Sequence, residues 1–249
     1  MTPPALKIEH LCFRYPGQEG MLFSDLNLEI GAGERFGLFG PNGAGKTTLI
    51  SLMTGLLSYE SGNIWLYGNT IRSKNKEVNK LFGFVPQTFS FYHELSPVEN
   101  LAFFGAWSGL NTNEIKTRTT ELMSVMGLEG VENKPVEQFS EGMKRRVNLA
   151  IGIIHKPRIL FLDEPTVGVD VQTRHGIIDY LKELNDNGTT LVYTSHQLSE
   201  AEDLCKKIAF IDEGKIIACD NIGTLLADNR EKGLEGLFLS LTGKDFRNQ

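Results

Sequence analysis

Apolar positions recur with two different periods along the chain, and the change between them divides it. Up to about residue 87 short β-like runs at 6–13, 26–30, 35–39, 63–67 and 82–85 alternate or cluster between glycine turns, the pattern of strands. From about 96 to 156 the spacing becomes helical. Pro97 opens a run to residue 107, Asn113 precedes one over 114–126, and Ser140 precedes a helix carrying Val147, Ala150, Ile151 and Ile154 on one face. Strand signals then return: 158–162 and 189–194 are continuous apolar or β-branched runs, as expected of strands buried on both faces of a parallel sheet. Between them, 171–187 reads as a helix with Ile177, Ile178, Leu181 and Leu184 inward and Gly188 as its stop, giving a β–α–β crossover. Ser199 with Glu202 suggests a capping box, and 208–211 with 215–218 flank a hairpin turn. The expected fold is α/β, with an N-terminal antiparallel β subdomain, a parallel core and an inserted α-helical subdomain.

Composition narrows the class. The 249 residues are 41% hydrophobic and 22% charged, enough to bury one large core or two modest ones. The net charge of −6 argues against a nucleic-acid partner, because neutralising phosphates needs an excess of clustered Lys and Arg. Cys12, Cys205 and Cys219 are too far apart for a metal knuckle or redox pair, which fits a reduced cytosolic compartment. No basic-then-apolar leader and no run near ~18 apolar residues is visible, so the chain is expected neither to be secreted nor to cross a membrane.

The candidate chemistry lies at strand ends. Gly40, Pro41, Asn42, Gly43, Ala44, Gly45, Lys46, Thr47 and Thr48 fit G-x-x-x-x-G-K-[ST] between the run 36–39 and a helix-like run 49–57. A tight glycine turn points successive N–H groups inward, the helix adds the positive end of its dipole, and Lys46 adds a full charge, so the loop suits a polyphosphate. The second carrier is ILFLDEP, where an apolar strand delivers Asp163 and Glu164 to the sheet edge that also holds the loop. Asp163 suits Mg²⁺ through water, with Thr47 as direct ligand, and Glu164 suits activation of an attacking water. His196 follows the buried run 189–194, emerges at the same edge and could donate to a γ-phosphate.

Together these residues resemble the ATP-binding subunit of an ABC (ATP-binding cassette) transporter, over about residues 6–220 and with motifs in family order. The resemblance implies a P-loop NTPase core hydrolysing ATP with Mg²⁺. It makes Gln87 the sensor of metal and water, Tyr15 the aromatic stacked on adenine, and His196 the switch histidine. Phe139-Ser140-Glu141-Gly142-Met143 falls at the signature sequence and Gly168-Val169-Asp170 at the loop that meets an opposing subunit. It further implies a homodimer with ATP sandwiched at the interface, in which Ser140, Gly142 and Asp170 serve the partner's nucleotide. A separate membrane permease would be driven, placing the chain in the cytoplasm and peripheral on the inner face of the cell membrane. The implied ATPase domain is 1–220, its helical subdomain about 88–157, and 221–249 a short C-terminal extension.

One position departs from the family pattern: the signature has Glu141 where a glycine is usual. A carboxylate beside a γ-phosphate would be repulsive unless it points outward in the first helical turn, where it complements the dipole. Six aromatics crowd residues 88–107, and Phe89, Phe91 and Tyr92 are the expected rim of a permease groove. The run 143–146 and the tail 234–243 resemble the drug-resistance and type-2 exporter branch. A soluble ABC-type ATPase acting on DNA or ribosomes is the alternative, and a P-loop kinase is disfavoured by the signature and the Asp-Glu pair.

Overall fold

In the computed structural model, which describes residues 3–73 and 76–243, the N-terminal alternation forms an antiparallel sheet. Its order is β2-β1-β4-β5, with β1 at Leu6–Phe13, β2 at Phe23–Ile30, β4 at Ser61–Leu66 and β5 at Asn69–Thr70. The second sheet has the order β10-β9-β3-β8-β7-β6. Here β3 is Arg35–Phe39, β6 Phe82–Val85, β7 Ile159–Asp163, β8 Thr190–Thr194, β9 Lys207–Asp212 and β10 Lys215–Asn221. All its pairings are parallel except the β9–β10 hairpin.

Every residue of β7 and β8 is buried, which explains why these strands read as continuous apolar runs. Because strand side chains alternate, the sheet feeds two cores. Ile159, Phe161, Val192, Phe36 and Leu38 face the antiparallel sheet and helix α1 (Lys46–Met53), while Leu160, Leu162, Leu191 and Tyr193 face the helices on the other side. Those helices are α3 (Pro97–Trp107), α4 (Thr112–Val125), α5 (Glu141–Ile153) and α6 (Val171–Asp186). Burying each such side chain contributes about 1.5–3 kcal/mol, so the central sheet is the rigid frame of the molecule.

Local signals explain most boundaries, and the exceptions have causes. Helix α3 starts as expected, with Pro97 in the first turn and a Ser96–Glu99 capping box. Helix α4 is instead capped by Asn111, whose side chain accepts from both Asn113 and Glu114 N–H, so Asn113 lies inside the first turn. Helix α1 begins at Lys46 and ends at Met53, earlier than the expected run 49–57 at both ends, because Gly45 in the left-handed region releases the chain directly into a helix. The expected capping box at Ser199 and Glu202 does not form. Helix α7 (Leu198–Leu204) follows Gln197 without a side-chain cap, and Glu202 accepts from Leu234 N–H at 2.7 Å.

That last bond fastens the C-terminal segment. Helices α8 (Ile222–Asn229) and α9 (Leu234–Thr242) add Leu225, Leu234, Leu237 and Phe238 to the helical-side core, with Phe238 and Phe210 rings 5.5 Å apart. Residues 244–249 of the expected extension lie outside the described residues. A short helix α2 (Lys76–Leu81) precedes β6. Among the described residues, no helix is long and apolar enough to cross a membrane.

Candidate active site

Parallel pairing alone brings the functional positions together. Asp163 pairs with Thr194 in register and Val85 with Leu162, while β3 pairs with β8, so the carboxyl ends of β3, β8, β7 and β6 share one edge. From that edge emerge the glycine loop, Asp163 with Glu164, Ser195 with His196, and Pro86 with Gln87. Of these, Asn42, Gly43 and Gly45 to Thr48 of the glycine loop, with Gln87, Glu164 and His196, line an open groove of 590 Å³ together with Tyr15, Gln18 and Leu22.

The glycine loop is a tight backbone cradle. A Cβ at Gly40 would run into the Ile211 carbonyl oxygen, and one at Gly45 would sit 2.8 Å from the Phe23 ring at a φ of 106°. Only glycine fits either place. Helix α1 has no side-chain cap at Gly45, which leaves its first-turn N–H groups for an anion. Lys46 is 6% exposed, and its Nζ donates to the Gly40 and Pro41 carbonyls at 2.8 and 3.0 Å. Burial pushes its ammonium pKa down, opposed by the Glu164 and Asp163 carboxylates, so the charge is held where a polyphosphate would complete its solvation.

The acidic pair is equally constrained. Asp163 is buried and accepts from the Thr194 hydroxyl at 2.7 Å, and the neighbouring Thr47 hydroxyl favours its charged form. Burial raises its carboxyl pKa, while those two hydroxyls act the other way. Glu164 adopts φ 52°, a left-handed conformation a non-glycine residue holds only where its surroundings dictate it. Its N–H donates to the Thr194 carbonyl and hydroxyl. Its carboxylate accepts from Gln87 Nε2 at 2.9 Å and lies 2.5 Å from His196 Nε2. Glu164, Gln87 and His196 therefore form one contiguous cluster facing the groove.

Thr47, Asp163 and Gln87 supply oxygen donors, the set a hard divalent cation such as Mg²⁺ takes, and the Thr47 hydroxyl is near enough to Asp163 to act on its carboxylate. Tyr15 stands at the groove mouth, its hydroxyl hydrogen-bonded to Thr48 at 2.7 Å and its ring edge-on to Phe13.

The structure does not bring Ser140, Gly142 and Asp170 into this groove. Ser140 caps α5 by accepting from Met143 N–H, Gly142 packs beside Thr173, and Asp170 caps α6 and lines a second groove with Arg146 and Thr173. Glu141 is exposed in the first turn of α5. Phe91, expected at a rim, is 6% exposed and stacked on Phe89, because both rings turn into the helical-side core. Tyr92, Phe103 and Trp107 are the exposed aromatics of this region.

Two groups of site residues escaped the sequence reading. Arg145 was visible only as part of a basic run, yet it is buried, donates to the Gln87 carbonyl at 2.6 Å and the Val167 carbonyl at 3.2 Å, and lies over the Phe89 ring. The second group, Thr166, Tyr193, Ser195 and Glu200, forms a buried hydrogen-bond cluster behind His196. Neither was signalled in the sequence: helical periodicity puts Arg145 opposite the stripe of Val147, Ala150, Ile151 and Ile154, and nothing marked Glu200.

The family model for ABC transporters matches residues 23–167, more than half of the chain. The chain belongs to the ABC transporter family. Its fold is that of the ABC ATPase domain, and it is an ATP-binding ABC ATPase. Among curated relatives it is 44% identical over 199 residues to the linearmycin resistance ATP-binding protein LnrL of Bacillus subtilis, covering 80% of this chain and 63% of that one. It is 39% identical over 198 residues to a Nod factor export ATP-binding protein I of Cupriavidus pinatubonensis, covering 80% and 61%. The match thus spans a little under two thirds of those relatives' length. Of solved structures, an ATP-binding subunit of an ABC transporter superposes with a TM-score of 0.88 at 26% identity, over 96% of this chain and 99% of that one. The cbiO1 subunit from Clostridium perfringens, part of an ABC transporter complex, gives 0.80 at 27% identity over 91% and 92%.

Proposed function

We propose that this ABC ATPase energises export through a separate membrane permease, working as a homodimer that sandwiches two ATP molecules. The observation carrying the dimer is the split of the expected site. The groove holds Lys46, Thr47, Gln87, Glu164, His196 and Tyr15, while Ser140, Gly142 and Asp170 lie outside its lining. Resemblance to the family assigns those three to a nucleotide bound on a second copy. Export is supported by the relatives, named for linearmycin resistance and Nod factor export.

In this reading the glycine loop and Lys46 hold the triphosphate and Tyr15 packs on adenine. Thr47, Asp163 and Gln87 would hold Mg²⁺, which when bound screens phosphate charge. Glu164 accepts a proton from the attacking water as general base, and its contacts with Gln87 and His196 fix the carboxylate before substrate arrives. His196 reaches the γ-phosphate from the same edge. Cleavage removes the group shared with Ser140 and Gly142 of the other copy, so hydrolysis separates the dimer. The ATPase unit spans 1–220 with its helical subdomain at about 88–157, and exposed Tyr92, Phe103 and Trp107 suit contact with the permease at the inner membrane face.

The test is Glu164→Gln protein in ATP and Mg²⁺, followed by light scattering with Lys46→Ala as control. A nucleotide-dependent dimer is expected only with Lys46 intact. A Glu164→Gln protein that binds ATP yet stays monomeric at all concentrations, with or without membranes containing the permease, refutes the proposal.

A further inference from the structure

Behind the His196 side chain, one carboxylate collects donors from three separate segments. Glu200, in α7, is 5% exposed. It accepts from the Ser195 hydroxyl at 2.5 Å, from the Tyr193 hydroxyl at 2.6 Å, and from the Thr166 hydroxyl at 2.9 and 3.0 Å to its two oxygens. Arg174 Nε lies 3.1 Å away as an ion-pair contact without hydrogen-bond alignment, and its other nitrogen donates to Gln197 at 2.9 Å. An ionised carboxylate has about four acceptor sites, so this cluster uses its full capacity.

The partners are not scattered. Ser195 directly precedes His196 and also accepts from Gln197 N–H at 3.0 Å, so its hydroxyl fixes the backbone on both sides of the imidazole. Thr166 lies two residues after Glu164 and leads into the loop ending at Asp170. Arg174 is one helical turn beyond Asp170, and its N–H donates to the Asp170 carbonyl. Burial together with the Glu200 carboxylate raises the Tyr193 phenol pKa well above its ordinary value, which keeps that group a donor. Among the described residues Glu200 has no hydrogen bond or ion pair to a residue lining the nucleotide groove, and it is linked to Glu164 and His196 through Thr166 and Ser195.

We infer that Glu200 is a positioning residue for ATP hydrolysis: it clamps the backbone that aims His196 at Glu164 and ties it to the segment carrying Asp170. The inference rests on the reading of Glu164 and His196 as the reacting pair. A carboxylate suits the task because three hydroxyl donors and a guanidinium converge on it; an amide of the same shape would turn one acceptor oxygen into a donor facing donors. A small rotation of the imidazole away from its 2.5 Å contact would then follow, with the phosphate cradle untouched.

The experiment compares Glu200→Gln and Ser195→Ala with the parent chain, reading ATP turnover, affinity for a fluorescent ATP analogue, melting temperature, and the His196 ring nitrogens by long-range ¹H–¹⁵N NMR. Ser195→Ala deletes only the donor nearest His196 and decides the matter should Glu200→Gln fail to fold. Expected are a fall in kcat of about 10- to 100-fold for Glu200→Gln, a smaller fall for Ser195→Ala, unchanged nucleotide affinity, and shifted His196 signals in both. The inference is overturned by parent-like kcat and His196 signals, or by a loss of kcat that tracks lost affinity and melting temperature while those signals stay put. Glu164→Gln and His196→Ala run alongside. Full turnover in both would overturn the reading of the reacting pair and this inference with it, whereas inactive controls beside a fully active Glu200→Gln overturn this inference alone.

Discussion

Replacing Arg145 with Met tests whether a buried cation holds the Gln87 loop in place. The guanidinium is 6% exposed, bridges the Gln87 and Val167 carbonyls at 2.6 and 3.2 Å, and lies 4.6 Å from the centre of the Phe89 ring. Burial lowers its pKa, with Glu141 and Glu164 opposing, so the site resists the charge it contains. Methionine fills similar volume without charge. It leaves two carbonyls unpaired, at about 1–3 kcal/mol each, and forfeits the ring contact, worth about 0.5–2 kcal/mol. Against this stands the relief of no longer burying a cation, which recovers a few kcal/mol. The net expectation is a loss of roughly 2–4 kcal/mol, near the upper range for single substitutions. At about 2–4 °C per kcal/mol for a chain of this size, the nucleotide-free melting temperature should fall by roughly 5–15 °C. Arg145→Lys keeps the charge but, lacking the planar fork, reaches one carbonyl well, and should fall between. Turnover should drop further than stability explains, because the Gln87 backbone loses its anchor while its side chain still faces Glu164. Circular dichroism melts and ATPase assays on the three proteins decide. A methionine variant melting at or above the parent would refute the reasoning, showing the buried charge to be a net burden and its carbonyl bonds dispensable.

Three other outcomes are expected. Lys46→Ala should weaken triphosphate binding by roughly 10- to 100-fold, the loss of one charge-assisted bond, and parent-like affinity in a fluorescent-nucleotide titration would count against the cradle. Asp163 has a carboxyl pKa raised by burial, so its stabilising contribution is complete below the ordinary carboxylate value and is lost as pH rises through the folded-state value. Asp163→Asn should therefore melt higher than the parent at neutral pH without nucleotide, and the gap should close in acid; a constant gap across pH would be inconsistent with that cause. Glu141→Gly, made in a Glu164→Gln background, should strengthen the ATP-bound dimer severalfold by removing a carboxylate next to Ser140. Light scattering that finds the dimer unchanged or weaker would mean that Glu141 does not repel the bound nucleotide.

How much of this was legible beforehand follows from the range of the forces involved. The glycine loop, the strand ending in Asp163-Glu164 and the apolar run before His196 are encoded within a few residues each, because glycine turns, buried strands and helix starts are local conformational preferences. Parallel strands with a right-handed crossover then oblige their carboxyl ends to share an edge, so the gathering of Lys46, Glu164 and His196 could be reasoned out from order alone. The sequence also determined that the signature serine begins a helix, since Ser140 accepts from the N–H of Met143, three residues on in the first turn.

Tertiary packing decided everything that depends on which distant side chain fills which gap. Whether Phe91 faces solvent or core is set by the packing of the helical side, Glu202 reaches the start of α9 32 positions on, and Arg145 reaches Val167 and Gln87 22 and 58 positions away, so short spacing rules carry no information about them. The Glu200 cluster is the clearest instance. Its partners come from a strand, a loop and helix α6, and a buried carboxylate is stable there only because all of them arrive together.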